Sequence, residues 1–162
     1  MLRRRLDGLA VTISSFGTLA VDGQPALPDA AAVALALGID LKRHRSRRLQ
    51  PGCLRDIDLI VGFEPAHIAT AVEAGGAELA RTFMMLELPA LLDNIPRAPE
   101  TEATGDVDEA RRVIAGMDES RASVATQPAS LADPFGASRQ VFAETARVID
   151  ATTALLADTL FP

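Results

Sequence analysis

The sequence has no tryptophan, no tyrosine and a single cysteine. One cysteine cannot form an intramolecular disulfide, which excludes a disulfide-stabilised secreted scaffold and makes a reducing cytoplasm the expected compartment. No apolar run approaches the roughly eighteen residues that a membrane-spanning helix needs. The basic residues near Met1 precede an apolar stretch too short for a secretion signal, so we expect a soluble protein without a signal peptide.

Basic residues are also fewer than acidic ones. Lysine and arginine number 16 against 22 aspartates and glutamates, a formal net charge of −6. This balance argues against a protein that wraps nucleic acid, because such a protein needs a basic face. The exception is the basic run at 42–48, for which two interpretations are open: a patch that binds phosphate or another anion, and a solvated segment after a helix. We favour the solvated segment, because no aromatic residue interrupts the run.

Apolar residues are plentiful enough for a core. The chain has 162 residues, 48% of them hydrophobic, and we expect one domain over 1–162. Short apolar runs predict buried strands at 9–13, 58–63 and 81–85. Helical spacing and capping residues predict helices at 28–37, 65–73, 107–117 and 141–160, with a short helix-like stretch at 52–57. This alternation predicts an α/β three-layer domain with a parallel sheet flanked by helices.

Motifs that identify a common catalytic chemistry are missing. The sequence contains no G-x-x-x-x-G-K-[ST], G-x-G-x-x-G, H-E-x-x-H or G-x-S-x-G. Its two histidines, His44 and His67, do not cluster with Cys53 along the chain, so we expect no metal site and no cofactor. Cys53 lies near the start of the stretch at 52–57, where a helix dipole could activate a thiol. A small buried residue at a helix start is the favoured interpretation.

One loop residue stands out. Asp133 precedes Pro134 at the end of a long loop, just before the C-terminal helix. The residue before a proline is restricted to extended conformations, so we expect this carboxylate to project from the loop and not to cap the helix directly. On its own an Asp-Pro pair is common in loops, and its role depends on the segments around it.

Seven segments in a fixed order carry more information. They are SSFGT at 14–18, GQP at 23–25, GIDL at 38–41, HRSRRL at 44–49, DLIV at 58–61, His67, and DPFG at 133–136. Together they resemble the low-molecular-weight protein-tyrosine phosphatase family, in the form typical of its bacterial members. No single segment is specific, but their order and spacing match that family from near Met1 to the C-terminal helix. The resemblance implies a three-layer α/β fold whose parallel sheet has the strand order 2-1-3-4.

The resemblance also implies a site. That family holds the phosphate of a phosphotyrosine in a C-x5-R-[ST] loop, whose backbone N–H groups and arginine surround the dianion while its cysteine attacks phosphorus. By this resemblance Asp133 is the general acid that protonates the leaving phenolate, and Phe135 is a wall of the slot for the substrate ring. Ser15 matches a residue that supports the phosphate loop, and His67 lies where a further supporting residue is often found. The implied partners are phosphotyrosine proteins or small aryl phosphates, with no nucleic acid and no membrane.

The phosphate loop itself departs from the family pattern. No C-x5-R-[ST] occurs in the sequence, and the residue six positions after Cys53 is Leu59. Residues 1–6 resemble the end of the family's first helix, so we expect an N-terminally truncated chain that lacks the first strand and the loop. The run at 9–13 is then strand two. It either pairs directly with the run at 58–63 or leaves buried backbone groups unpaired and the chain marginally stable. Without the cysteine and arginine of the loop, the chain as given is predicted to be inactive.

Other functions stay open. A degenerate homologue would be a non-catalytic pseudophosphatase or a phosphoprotein-binding domain that uses the same wall residues and the basic run at 42–48. An arsenate reductase on the same fold would need several relay cysteines, and the chain has only Cys53. A nucleic-acid module is the least expected and would bind with a steep salt dependence. No feature of the sequence specifies an oligomeric state.

Overall fold

The computed structural model describes residues 1–96, 106–124 and 129–162. Its elements in these ranges are helices α1 (Leu2–Arg5) and α2 (Pro28–Ala36), strand β1 (Ile60–Gly62), helix α3 (Pro65–Glu73), a 3-10 turn (Leu79–Arg81), strand β2 (Thr82–Met84), and helices α4 (Leu88–Asp93), α5 (Val107–Ser120) and α6 (Arg139–Leu160). The two strands pair in parallel, with Val61 opposite Phe83. Two of the three predicted strands and the α/β class are therefore confirmed.

Helices cover both faces of this two-stranded sheet. Side chains alternate along β1, so Ile60 packs with a small cluster under α3, whereas Val61 packs against a larger cluster on the opposite face. The larger cluster joins β2 to α4, α5 and α6 around side chains that include Phe83, Met117 and Leu156, each at most 1% exposed. The predicted order of layers, helix then sheet then helix, is present.

The C-terminal helix α6 holds the other helices together. It contacts α1, α2, α4 and α5, and its buried face includes Phe142, Leu156 and Leu160. Helix α5 begins where Asp106 accepts a hydrogen bond from the N–H of Glu109 at 2.8 Å, which satisfies one of the free donors of the first turn. Both helices follow the 3.6-residue spacing predicted from the sequence.

The predicted strand at 9–13 does not form. The N–H of Val11 donates inside the segment, to the carbonyl of Leu9 at 2.8 Å, and Leu9 is 41% exposed. Nearby, Gly17 makes an isolated parallel bridge to Arg48. A β-branched run becomes a strand only beside a neighbour that satisfies its backbone groups, and β1 does not pair with it in the described residues. The alternative in which this segment pairs directly with the strand at 58–63 is therefore wrong.

The short helix expected at 52–57 is replaced by turns. The N–H groups of Gly52 and Leu54 donate to the carbonyls of Ala74 and Gly75, both at 2.9 Å. These bonds tie the segment to the end of α3. The first N–H groups of a helix have no acceptor inside it, and here the carbonyls after α3 satisfy two such donors.

Three consecutive arginines of α1 each reach a different part of the chain. Arg3 donates to the carbonyl of Ile13, Arg4 donates at 2.7 Å to the carbonyl of the residue that follows α2, and Arg5 pairs with Asp150 of α6 at 2.9 Å. Through the bond from Arg3, helix α1 holds the segment that leads into Ser14 and Ser15.

Candidate active site

The carboxyl ends of β1 and β2 lie at one edge of the sheet, which is where open parallel sheets bind ligands. Phe63 follows β1 directly. Its N–H donates to Nδ1 of His67 at 3.3 Å, and the two rings meet edge to face with centroids 6.4 Å apart. Pro65 starts α3, a position that suits proline because the first N–H of a helix has no partner inside it. The turn from β1 into α3 therefore orients the half-buried His67 at this edge.

The loop that carries Asp133 reaches the same edge. The N–H of Leu131 donates to the carbonyl of Phe63 at 2.9 Å. One oxygen of the Asp133 carboxylate accepts a hydrogen bond from the N–H of Phe135 at 2.9 Å, which closes a local turn. The Asp133 side chain is exposed, and its second oxygen has no partner among the described residues. Helix α6 starts only at Arg139, so this carboxylate does not cap it.

Phe135 lies beside this carboxylate with its ring in solvent. It is 71% exposed. A large aromatic ring gains stability from burial, so a ring left in water on a turn contributes little to the fold. It is available to cover a planar ligand next to Asp133.

Ser15 lies in a different neighbourhood. Its carbonyl accepts a hydrogen bond from Arg47 at 3.4 Å, and the Arg47 guanidinium lies 4.6 Å from the ring centre of Phe16. No hydrogen bond joins Ser15 to Asp133 or His67 in the described part of the chain. The structure thus ties His67 and the loop of Asp133 to the same residue, Phe63, and leaves Ser15 beside the basic run.

Cys53 lies toward the other end of β1. It is half-buried and packs with a cluster that includes Leu54 and Ile60, the first residue of β1. Phe63 is three residues further along, or about 10 Å at roughly 3.3 Å per residue. The thiol therefore lies away from the loop of Asp133. The prediction of a buried residue at a helix start is wrong, because Cys53 is half-buried and lies in a turn.

A shallow groove of about 420 Å³ lies between α3 and β2. Its described walls are mainly aliphatic and include Ile68, Val72, Leu79 and Met84, with Glu73 as the ionisable member. A carboxylate without a cation beside it repels a phosphate dianion. This groove is therefore not a phosphate site.

Neither a metal site nor a membrane-spanning helix occurs in the described ranges. No group of three His, Cys, Asp or Glu side chains is placed to hold a metal ion within 1–96, 106–124 and 129–162. In the same ranges no helix has both the length and the apolar content to cross a membrane.

Sequence reasoning missed a partly buried ion network beside β2. Arg121 donates to the carbonyl of Thr82 at 2.7 Å and to Asp118 at 3.0 Å, and it lies 3.7 Å from Glu87. Its guanidinium lies 4.3 Å from the ring centre of Phe83. The network fastens the turn after α5 to β2 and so supports the sheet. Asp118 and Arg121 are three residues apart in sequence, whereas Thr82 and Glu87 are more than thirty residues away, so a local pattern indicates only the first pair.

Comparison with known proteins assigns the chain to a family. The sequence model for "Low molecular weight phosphotyrosine protein phosphatase" matches residues 1–95. This range includes Ser15 and His67, whereas Asp133 and Phe135 lie beyond it. No solved structure matches the chain.

Two curated relatives have the name "Low molecular weight protein-tyrosine-phosphatase Etp" and come from two strains of Escherichia coli. Each is 39% identical to this chain over 69 residues, which is 43% of this chain and 45% of the relative. The chain therefore spans about half the length of the curated relatives it matches. Because the family match covers more than half of a chain whose two strands form a parallel, helix-covered sheet, the chain belongs to the low molecular weight phosphotyrosine protein phosphatase family.

Proposed function

We propose that this chain supplies the general acid and the substrate wall of a cytoplasmic phosphotyrosine phosphatase. The nucleophilic cysteine and the phosphate-binding arginine come from residues outside these 162. The supporting observation is the hydrogen bond from Leu131 to Phe63, which brings the loop of Asp133 to the carboxyl end of β1. The proposed substrates are phosphotyrosine in proteins, such as bacterial tyrosine kinases, or small aryl phosphates.

Cleavage of a phosphotyrosine needs a proton donor beside the leaving oxygen. Cleavage of a phosphotyrosine releases a phenolate whose conjugate acid has a pKa of about 10, which makes it a poor leaving group. Asp133 donates a proton to that oxygen as the P–O bond breaks and the cysteinyl-phosphate forms. Phe135 covers one face of the substrate ring. His67 supports the site from the end of β1, whereas Ser15 supports the phosphate loop from its place beside Arg47.

One side of β1 has no neighbouring strand in the described residues, and this supports the proposal that the nucleophilic cysteine and the arginine come from residues outside the 162. Met85 donates to the carbonyl of Gly62 at 2.8 Å, so Gly62 faces β2 and Val61 presents its N–H and carbonyl to the opposite edge. No strand pairs with that edge in the described residues. A parallel strand added there would end near Phe63, and a phosphate loop after it would meet the loop of Asp133.

The first experiment reads the DNA upstream of the Met1 codon and compares two proteins. The chain extended by an in-frame C-x5-R-[ST] segment should hydrolyse phenyl phosphate, and the 162-residue chain should not. An upstream stop codon without such a motif contradicts the enzyme hypothesis. Hydrolysis by the 162-residue chain that survives Asp133→Ala and is lost in Cys53→Ser would show that the nucleophile is misplaced.

The second experiment tests the acid in the extended protein. Asp133→Asn should slow hydrolysis of phenyl phosphate by about 100- to 10,000-fold. The same variant should lose far less activity on an aryl phosphate with an acidic phenol, because that leaving group departs without a proton. Asp158→Asn removes another exposed carboxylate, from α6, and serves as the control, with activity unchanged. An equal loss on both substrates contradicts the role of Asp133.

A non-catalytic phosphotyrosine-binding domain is the second candidate. The feature that favours it is the absence of C-x5-R-[ST] from the 162 residues. In this case the chain itself binds a phosphotyrosine peptide, Phe135→Ser weakens that binding, and the unphosphorylated peptide does not bind. Isothermal titration calorimetry distinguishes the two candidates, because the first predicts negligible affinity of the 162-residue chain for the phosphopeptide.

A further inference from the structure

The loop at 18–22 presents two aliphatic side chains to solvent. Leu19 is 88% exposed and Val21 is 67% exposed. Apolar side chains stabilise a fold by leaving water, so these two contribute little to this one. An exposed apolar pair on one short loop is therefore available for contact with a partner.

Both ends of this loop are fastened to the basic run. The N–H of Gly17 donates to the carbonyl of Arg47, and the N–H of Gly23 donates to the carbonyl of Ser46, both at 2.9 Å. Further hydrogen bonds connect the same two segments. The loop is thus held in place before a partner arrives, which lowers the entropy cost of binding.

Some cations of the basic run have a partner within the described residues, and the others are available to a ligand. It contains one lysine and four arginines in seven residues. Arg45 donates to two carbonyls within the run, and Arg47 donates to Ser15 and lies over Phe16. The remaining cations have exposed side chains without a hydrogen bond or ion pair to any described residue, and they are Lys42, Arg43 and Arg48.

We propose that the loop at 18–22 and the run at 42–48, together called the basic loop pair, bind an extended acidic peptide segment of a partner protein. Carboxylates of the peptide contact the three available cations, and an aliphatic side chain of the peptide packs on Leu19 and Val21. Charge complementarity supports this occupant, because the run is strongly positive on a chain of formal net charge −6. The surface uses no phosphate chemistry, so this proposal does not depend on the phosphatase function.

Nucleic acid and membrane fit the same surface less well. Single-stranded nucleic acids stack their bases on the faces of aromatic rings, and the Arg47 guanidinium already occupies one face of the Phe16 ring beside this run. Two aliphatic side chains bury too little apolar area to hold a protein on a membrane, and the chain as a whole is acidic.

The test uses a fluorescein-labelled, glutamate-rich peptide of about twelve residues with one central leucine. Fluorescence anisotropy of the peptide with the full chain should show saturable binding. Affinity should fall at least about tenfold as NaCl rises from about 50 to about 300 mM, because exposed charges are screened. The matched peptide with glutamine at every glutamate position should not bind.

Paired variants locate the contact. Arg43→Gln/Arg48→Gln should weaken binding of the acidic peptide about fourfold, since each exposed ion pair is worth a factor of roughly two. Arg112→Gln/Arg147→Gln removes the same charge from exposed arginines of α5 and α6 that have no described partner, and it should leave the affinity within about twofold. Equal weakening by both pairs overturns the proposal.

A second pair tests the apolar contact. Leu19→Ser/Val21→Ser changes only exposed side chains, so far-UV circular dichroism should match the wild type while affinity falls about fivefold. Unchanged affinity in a folded variant overturns the apolar contact. Binding of the glutamine peptide, or tighter binding of a single-stranded RNA than of the acidic peptide, overturns the acidic-peptide assignment.

Discussion

The ion network around Arg121 allows a partly buried cation to be compared with an exposed one. Arg121→Ala removes the hydrogen bond to the Thr82 carbonyl at 2.7 Å and the contact with the Phe83 ring at 4.3 Å. A hydrogen bond to a charged group contributes about 1.5–3 kcal/mol, and a partly desolvated cation–π contact about 1–2 kcal/mol. The variant also removes the buried Nε atom, which has no partner in the described residues, and this offsets about 1 kcal/mol. We expect the free energy of unfolding to fall by about 1.5–4 kcal/mol.

The assay is urea unfolding followed by far-UV circular dichroism, because the chain has no tryptophan or tyrosine for fluorescence. Arg111→Ala is the control. Arg111 also has two acidic partners, Asp58 at 2.9 Å and Asp108 at 3.1 Å, but all three side chains are exposed. Water screens these pairs, so the control should unfold like the wild type. Equal stability of the Arg121 and Arg111 variants would refute the reasoning.

Three further substitutions test the fold by the same unfolding measurement. Leu91→Ala empties a position that is 0% exposed and should cost about 2–5 kcal/mol; wild-type stability would contradict its place in the core. Asp106→Ala removes the cap of α5 and should cost about 0.5–2 kcal/mol, with no change if the hydrogen bond at 2.8 Å does not form in solution. Gly38→Ala should cost about 1–2 kcal/mol, because φ is +74° and the new Cβ would lie 2.9 Å from the Arg4 guanidinium; an unchanged midpoint would contradict that backbone conformation.

Elements were predictable from the sequence where their backbone hydrogen bonds form within the same segment. Helix α3 runs from Pro65 to Glu73, the range that its starting proline and following glycines indicate. The apolar run at 9–13 has the same kind of pattern as β1 and yet forms no strand. A strand needs a neighbour to receive its hydrogen bonds, and a sequence window does not contain that neighbour.

Helix α4 shows the opposite case. It has six residues, too few for a periodic pattern, and it was not predicted. Its residues Leu88, Leu91 and Leu92 are nonetheless buried. Packing against α6 and α5, and not intrinsic preference, accounts for this short helix.

The residues of the candidate site were predictable from the sequence, but their contacts were not. The resemblance singled out Asp133, Phe135, Ser15 and His67, and their roles stay predictions. Only the three-dimensional structure shows that the Asp133 loop bonds to Phe63 while Ser15 lies with the basic run. These relations depend on contacts between distant segments.

The sequence by itself determined the absence of a disulfide and of the C-x5-R-[ST] loop, the acidic net charge with its one basic run, and the helices with strong periodicity. These properties depend on composition or on neighbours along the chain. Tertiary structure decided that Cys53 lies toward the opposite end of β1 from the Asp133 loop, and that Leu19 and Val21 stay in solvent beside the cations. Such choices depend on which distant segments can bury apolar surface and satisfy backbone hydrogen bonds together.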